Sequence, residues 1–172
     1  MDTVVSHHRR FGILRPFGMK RPGWGAGSLF WFGVLGLVPH ALIGLAIKLF
    51  VSDVVTIEDA IRQDLLDSPF RIFWAFVLSA VLAPICEEVI FRGRFLGGTA
   101  DRWGPKMAAI GTSETLALLH LYSWQGFVAV FCCGLAFCWL HRRSGSLWPG
   151  IIAHAIFNFL ITAETTTGLS LH

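Results

Sequence analysis

Residues 70–97 read FRIFWAFVLSAVLAPICEEVIFRGRFLG, and this apolar run constrains the fold more than any other part of the chain. A helix needs about 20 mostly apolar residues to cross the hydrocarbon core of a bilayer, and this run is long enough. It carries two adjacent carboxylates, Glu87 and Glu88. Ionisable side chains inside a membrane are costly and usually functional. The stretch therefore predicts a transmembrane helix that carries a functional site.

The composition of the whole chain also indicates a membrane protein. Of its 172 residues, 54% are hydrophobic and 15% are charged, whereas soluble domains carry about 25% charged residues. So few charges cannot cover the surface of a water-soluble globule of this size. The 15 Phe and 7 Trp exclude a disordered chain. We predict an all-α fold, a polytopic helical membrane protein with about five transmembrane helices.

The distribution of Lys and Arg between the apolar runs predicts the topology. The five runs are residues 28–50, 70–97, 107–122, 126–140 and 147–163. Basic residues cluster before the first run, after the second and after the fourth, which places these segments and the N-terminus in the cytoplasm. We expect a basic cytoplasmic lead-in over residues 1–27 and a single membrane domain over 28–172. Because the basic residues set topology, we expect no nucleic-acid partner despite the net charge of +3.

The four cysteines all lie in apolar runs. They are Cys86, Cys132, Cys133 and Cys138, and none belongs to a Cys-x-x-Cys pair. A disulfide framework or a zinc knuckle is therefore not expected. We interpret them as small buried hydrophobic residues.

The first candidate for chemistry is the stretch EEVIFR, residues 87–92. Glu88 and Arg92 are four residues apart with the acid first, the favourable order for an intrahelical ion pair. Glu87 points about 100° away on an ideal helix and lacks that local partner. Burial makes a carboxylate a stronger base, so Glu87 is a candidate general base. The alternative is a helix end whose charges reach the lipid headgroups.

Two further polar groups lie inside apolar runs. His120 closes the pattern LALLH, and His154 and Asn158 share a face of the last helix because they are four residues apart. Two donors on one face suit an oxyanion. The alternatives are a hydrogen bond from His120 to a neighbouring carbonyl and ordinary interhelical bonds from His154 and Asn158. Glu114 also lies within a run, and no role is assigned to it.

The predicted topology brings Glu87, His120 and His154 to similar depths, roughly 10–20 Å from the cytoplasmic helix ends at about 1.5 Å per residue. A carboxylate, two histidines and an amide can hold and activate one water molecule. The reaction class that this set favours is hydrolysis of an acyl bond.

In their order and spacing, the Glu-Glu-x-x-x-Arg stretch, the helix-closing His and the later His-x-x-x-Asn resemble the three motifs of the CPBP intramembrane proteases. That family includes CaaX prenyl endopeptidases and bacteriocin-processing or immunity proteins. The resemblance covers residues 70–163. One departure is Leu116, where the second motif commonly has Phe.

The resemblance implies an intramembrane endopeptidase of the glutamic type. Glu87 would activate water with the help of His120, and Glu88 and Arg92 would hold the geometry. His154 and Asn158 would stabilise the oxyanion. It also implies an integral protein of the bacterial inner (plasma) membrane, and the expected partners are the lipid bilayer and a membrane-anchored protein or peptide substrate.

No cofactor is expected, although a zinc site is an alternative. Glu87, His120 and His154 are plausible zinc ligands. However, the sequence lacks His-Glu-x-x-His, which places two ligands and a base on one helix face. Glu88, the base that a zinc site would require, is better placed to pair with Arg92.

Three functions remain open on the sequence. The leading hypothesis is an endopeptidase that cuts a C-terminal sorting signal or a prenylated CaaX-type tail. The second is a non-catalytic membrane immunity or binding protein that would tolerate loss of Glu87. The third is a small transporter in which Glu87 and His120 relay protons.

Overall fold

A computed structural model describes residues 67–120 and 124–167, together with Val38. In this part of the chain the structure is helical and contains no strand, which confirms the predicted all-α class. The lead-in over residues 1–27 and, apart from Val38, the predicted first span over 28–50 lie outside the described residues.

The described chain forms five α-helices and two π-helical segments. In chain order they are α1 (Pro69–Phe76), a first π segment (Val77–Leu82), α2 (Ala83–Glu87), a second π segment (Glu88–Phe95), α3 (Leu96–Leu119), α4 (Trp124–Ser144) and α5 (Trp148–Thr167). Ser68 caps the start of α1, because its hydroxyl accepts a hydrogen bond from the Phe70 amide and Pro69 occupies the first turn.

The two π segments interrupt the long first helix on either side of α2. A π turn contains one extra residue and is common at functional sites. Pro84, the second residue of α2, has no N–H to donate to the carbonyl four residues earlier. The second π segment begins at Glu88, so the candidate motif lies where the helical geometry changes.

The helix direction breaks at Gly104 within α3. Gly104 has φ 77° and ψ 162°, a conformation that is essentially restricted to glycine, and Pro105 follows it. The arms before and after this break both touch Gly134 of α4. Arg92 donates to the Gly134 carbonyl over 3.0 Å, and Ser113 lies against its Cα. The chain therefore folds back at Gly104 and flanks α4 from two sides.

Helix α5 packs antiparallel to the long first helix. Phe76 packs on Phe159 with ring centroids 5.1 Å apart, whereas Glu88, later in the first helix, meets His154, earlier in α5. Between α4 and α5, a cluster of Cys133, Phe137, Leu140, Ala153 and Phe157 forms the main apolar core.

The described part buries several polar residues and exposes many large apolar ones. Its buried polar residues are Glu88, Arg92, Thr112, Ser113, Ser146, His154 and Thr162. The exposed large apolar side chains include Phe70, Leu78, Ile90, Trp103 and Leu119. Extensive exposed apolar surface marks a membrane or protein contact.

Two helical stretches in the described part are long and apolar enough to cross a membrane. They are Pro69–Leu119, counted through the break at Gly104, and Gly126–Ser144, and their 18-residue windows have mean hydropathies of 1.8 and 1.2. These stretches include the predicted second and fourth apolar runs and the third run as far as Leu119, and α5 covers the fifth run from Trp148 onwards.

The contact between Gly134 and Ser113 predicts a specific loss of stability. A Cβ at Gly134 would lie 2.8 Å from the Ser113 Cβ, so Gly134→Ala should lower the free energy of unfolding by about 1–3 kcal/mol through overpacking. Gly111→Ala is the matched control, because no atom lies within 4 Å of its added Cβ. Thermal unfolding of the purified protein in detergent measures both, and equal stability of the two variants would contradict this packing.

Candidate active site

A fully buried ion pair lies at the centre of the site. Arg92 Nη1 lies 2.9 Å from Glu88 Oε1, and both side chains are fully shielded from solvent. The pair is the one that the four-residue spacing predicts. Removing one partner of a buried pair leaves an uncompensated charge, which is strongly unfavourable. The two residues therefore stabilise each other's burial.

Helix α4 holds the guanidinium of Arg92 in place. Arg92 Nη2 donates to the Gly134 carbonyl, and its Cζ lies 5.4 Å from the centre of the Phe137 ring. A guanidinium over an aromatic face gains a favourable cation–π interaction, which strengthens when water is excluded. The second π segment and α4 are thereby joined at one point.

His154 connects this pair to the second glutamate. Its Nδ1 lies 3.3 Å from Glu88 Oε1, and its Nε2 lies 3.8 Å from Glu87 Oε2. An ionised carboxylate only accepts hydrogen bonds, so Nδ1 carries the proton that is donated to Glu88. The imidazole also stacks on Phe137, with centroids 5.0 Å apart and planes inclined by 24°. The ring orientation is therefore set from two sides.

Glu87 differs from Glu88 in its access to the surroundings. Its side chain is 24% exposed, whereas that of Glu88 is 0% exposed. Glu87 Oε2 is buried and makes no hydrogen bond within the described part of the chain, and the same holds for Glu88 Oε2. The Glu87–His154 separation is too long for a direct hydrogen bond. By the exposure of its side chain, Glu87 is the more accessible glutamate of the pair.

The absence of a side chain at Gly150 permits the close approach of α5 to this site. A Cβ at Gly150 would lie 2.9 Å from Glu88 Oε2. That oxygen is buried and has no hydrogen-bond partner among the described residues. Glycine is therefore needed at the first turn of α5 for His154 to reach the glutamates.

Asn158 lies on the same helix as His154 but binds a different partner. Its Nδ2 donates to the Ser79 carbonyl over 2.7 Å, and the Ser79 hydroxyl lies 2.8 Å from that of Thr162. The expectation that His154 and Asn158 point at one group is not met in this state. His154 turns to the second π segment, whereas Asn158 binds the first.

His120 occupies the C-terminal end of α3, where its Nδ1 lies 2.8 Å from the Leu116 carbonyl oxygen. A carbonyl only accepts, so Nδ1 donates and Nε2 is the unprotonated nitrogen of the neutral ring. Among the described contacts, Glu87, Glu88, Arg92 and His154 form one group. Glu114 of the same helix is exposed.

Several residues that shape the site were not singled out from the sequence. Gly134, Gly150, Phe137 and Ser79 contact predicted site residues, and Thr162 lies against Ser79. The glycines could have been found from the sequence, because glycine inside an apolar helix often marks a place where two helices approach closely. No pattern distinguished Ser79, Thr162 or Phe137 from ordinary helix residues.

The interpretation of the four cysteines needs one correction. All four are free, as expected, and Cys133 and Cys138 are buried. Cys86 is exposed instead, and Cys132 is half-buried. Cys86 lies just before Glu87, on a part of α2 that does not face the core.

The described residues do not fit a metal site. Within residues 67–120 and 124–167, no three His, Cys, Asp or Glu side chains are arranged to hold a metal ion. Glu88 Oε1 is already engaged by Arg92 and His154.

Comparison with known proteins identifies the family. Residues 69–160 match the family described as type II CAAX prenyl endopeptidase Rce1-like. The chain belongs to this family. The match covers more than half of the chain and includes the whole group of Glu87, Glu88, Arg92 and His154. It confirms the resemblance to CPBP proteases.

A curated relative agrees with this assignment. The Rce1-like chain is 23% identical over 141 residues to the Bacillus subtilis (strain 168) protein named "Putative membrane peptidase YdiL". The alignment covers 78% of the chain and 50% of the relative, so the chain spans about half the length of that protein. No solved structure matches the chain. Family membership and the apolar helices make it an integral membrane protein.

The chain offers a direct comparison between a buried and an exposed ion pair. Arg92→Met should lower the free energy of unfolding by about 3–5 kcal/mol, because it leaves Glu88 buried without its partner. Arg71→Met breaks an i,i+4 pair with Asp67 whose side chains are 49% and 72% exposed. That change should cost less than about 1 kcal/mol.

Chemical or thermal unfolding in detergent measures both substitutions. The double variant Glu88→Leu/Arg92→Met should recover much of the loss, because replacing both members of a buried pair by apolar residues is far milder than removing one. Equal effects of Arg92→Met and Arg71→Met would contradict the assigned role of the buried pair.

Proposed function

We propose that this Rce1-like protein is an intramembrane endopeptidase of the glutamic type that hydrolyses a peptide bond in a membrane-anchored protein. The observation that carries the proposal is the different environment of two adjacent glutamates. Glu88 is closed off and paired, whereas Glu87 is partly open and lies beside His154. Family membership supports the same reaction class.

The environments divide the work between the two carboxylates. Glu88 is held by Arg92 and accepts a hydrogen bond from His154 Nδ1, so its role is to hold the imidazole in one tautomer and orientation. Such an orienting carboxylate is a recurring device of hydrolytic sites. Glu87 has the more exposed side chain of the two and serves as the general base.

The proposed reaction balances with water as the only co-substrate. Glu87 takes a proton from water while the water oxygen attacks the scissile carbonyl carbon. The tetrahedral oxyanion accepts a hydrogen bond from the second N–H of Asn158 Nδ2. His154 carries its ring proton on Nδ1, so its Nε2 faces Glu87 as an acceptor and donates nothing to the oxyanion. The C–N bond then breaks, and the proton held by Glu87 passes to the leaving amine, which regenerates the carboxylate.

His120 assists this step from the opposite arm of the fold. Counted from the break at Gly104, Glu87 is 17 residues back and His120 is 16 residues forward in the sequence, about 25 Å in each direction at 1.5 Å per residue. Since the two arms flank the same helix, the residues reach similar levels. The unprotonated Nε2 of His120 can accept a hydrogen bond from the attacking water and so orient it, while Glu87 takes the proton.

The proposed setting is the bacterial inner (plasma) membrane, with five spans and the N-terminus in the cytoplasm. The distribution of Lys and Arg supports this orientation. The proposed substrate is a C-terminal sorting signal or a prenylated CaaX-type tail, and no cofactor takes part.

The decisive test is the effect of Glu87→Gln on processing in the organism that encodes the protein. Mass spectrometry of membrane-protein C-termini should show an uncut substrate accumulating in this variant and in His120→Ala, with turnover reduced by about 10²–10⁴-fold. Glu114→Gln is the matched control, because it removes an exposed glutamate outside the site and should leave processing unchanged.

The insertion and amount of each variant are measured in the same membranes. Normal processing by a correctly inserted Glu87→Gln protein would overturn the proposal. If deletion of the whole chain changes the phenotype of the organism while Glu87→Gln does not, the protein acts by binding instead.

A further inference from the structure

A second concave feature lies away from the candidate active site. It is a cavity of about 500 Å³ between α4 and the arm of α3 that follows Gly104. Three basic side chains, Lys106, Arg142 and Arg143, line it, and all three are exposed. None of the three takes part in the network around Glu88.

The hairpin formed by α3 and α4 explains why these charges meet. Lys106 lies at the start of the α3 arm, two residues after Gly104. Arg142 and Arg143 lie in the last turn of α4. Lys106 shares the cavity with Arg142 and Arg143, and Ser113 lies against Gly134. The two helices therefore run antiparallel, and the beginning of one lies beside the end of the other. Residues distant in sequence thus form one basic rim.

The rest of the cavity wall is apolar and runs along both helices. Ala109 and Ile110 continue the wall from Lys106, and Leu135, Cys138 and Trp139 continue it from Arg142. Ile110 and Trp139 are 41% and 48% exposed. The basic rim is therefore joined to an open apolar groove on the outer surface of α3 and α4.

No Asp or Glu is among the described residues that line the cavity. The acids nearest to Lys106 in sequence are Asp101, five residues before it and across the break at Gly104, and Glu114, eight residues after it, about 12 Å along the helix. The cavity thus combines concentrated positive charge with apolar surface at the boundary where Trp, Lys and Arg meet lipid headgroups.

We propose that this groove is a binding site for an anionic phospholipid. Lys106, Arg142 and Arg143 hold the headgroup phosphate, and an acyl chain lies along Ile110, Leu135 and Trp139. Basic pockets between transmembrane helices recognise anionic headgroups in this way. Both parts of the ligand have a matching surface, which distinguishes a phospholipid from a soluble anion or from an uncharged lipid.

The site also adjoins the helix that supports the candidate active site. Cys138, in the cavity wall, lies 3.8 Å from the Ser113 hydroxyl, and Gly134, one turn earlier, accepts the Arg92 hydrogen bond. A lipid in the groove would therefore brace the α3–α4 hairpin directly. Its binding does not depend on proteolytic activity, so it can be tested separately.

The test is a titration of the purified full chain in detergent with phosphatidylglycerol, followed by native mass spectrometry. Arg142→Gln/Arg143→Gln should weaken binding by about 30-fold, since each basic residue near a headgroup contributes about 1 kcal/mol. Arg94→Gln/Arg102→Gln is the matched control. It removes the same charge from two exposed residues outside the cavity and should leave the affinity unchanged.

Further experiments test the contributions of the headgroup and of the acyl chain to binding separately. Phosphatidylcholine should bind more weakly than phosphatidylglycerol, and inorganic phosphate should not compete. Ile110→Trp, which fills the exposed groove without changing charge, should also weaken phosphatidylglycerol binding. Equal losses in the two double variants, effective competition by inorganic phosphate, or equal binding of the two lipids would each overturn the proposal.

Discussion

The burial of Glu88 and Arg92 is the constraint on which the rest of the structure depends. Two charges shielded from water need close mutual contact and further hydrogen bonds to be tolerated. Here those contacts come from three directions: the ion pair itself, the Gly134 carbonyl of α4 and the imidazole of His154 on α5. The contacts that these two buried charges require therefore bring the second π segment, α4 and α5 together at one point.

Close helix approach makes this arrangement possible. Gly134 lets α4 pass against Ser113, and Gly150 lets α5 pass against Glu88. A larger residue at either position would separate the helices by enough to lengthen the polar contacts. Association of membrane helices depends on close packing and interhelical hydrogen bonds, because lipid provides no hydrophobic driving force between them. The same glycines therefore serve both the packing of the fold and the geometry of the site.

The residues of α5 contact the first helix at two places, one in each π segment. Asn158 binds the Ser79 carbonyl in the first segment, and His154 binds Glu88 in the second. Widened turns shift the side chains relative to an ideal helix, so a face computed from 3.6 residues per turn is only approximate here. This explains why the shared face of His154 and Asn158 could be predicted while their separate partners could not.

Contacts between polar residues that are close in the sequence could be predicted, whereas contacts between residues far apart could not. The Glu88–Arg92 pair follows from a four-residue spacing, and the candidate role of Glu87 follows from its position next to that pair. The contact of His154 with both glutamates joins residues more than sixty positions apart, and no local pattern encodes it. The contacts of Ser79 and Phe137 were missed for the same reason, since each looks like an ordinary residue of an apolar helix.

The sequence by itself determined that this is a helical membrane protein and which polar residues its apolar runs carry. Composition and hydropathy can be read from the sequence alone. Because charges are costly in lipid, the few ionisable residues inside the apolar runs stand out. Only the tertiary structure decided which glutamate is closed off by Arg92 and His154 and which remains partly open. That distinction depends on how closely α4 and α5 approach the first helix, and helix approach is set by packing among residues that are distant in the sequence.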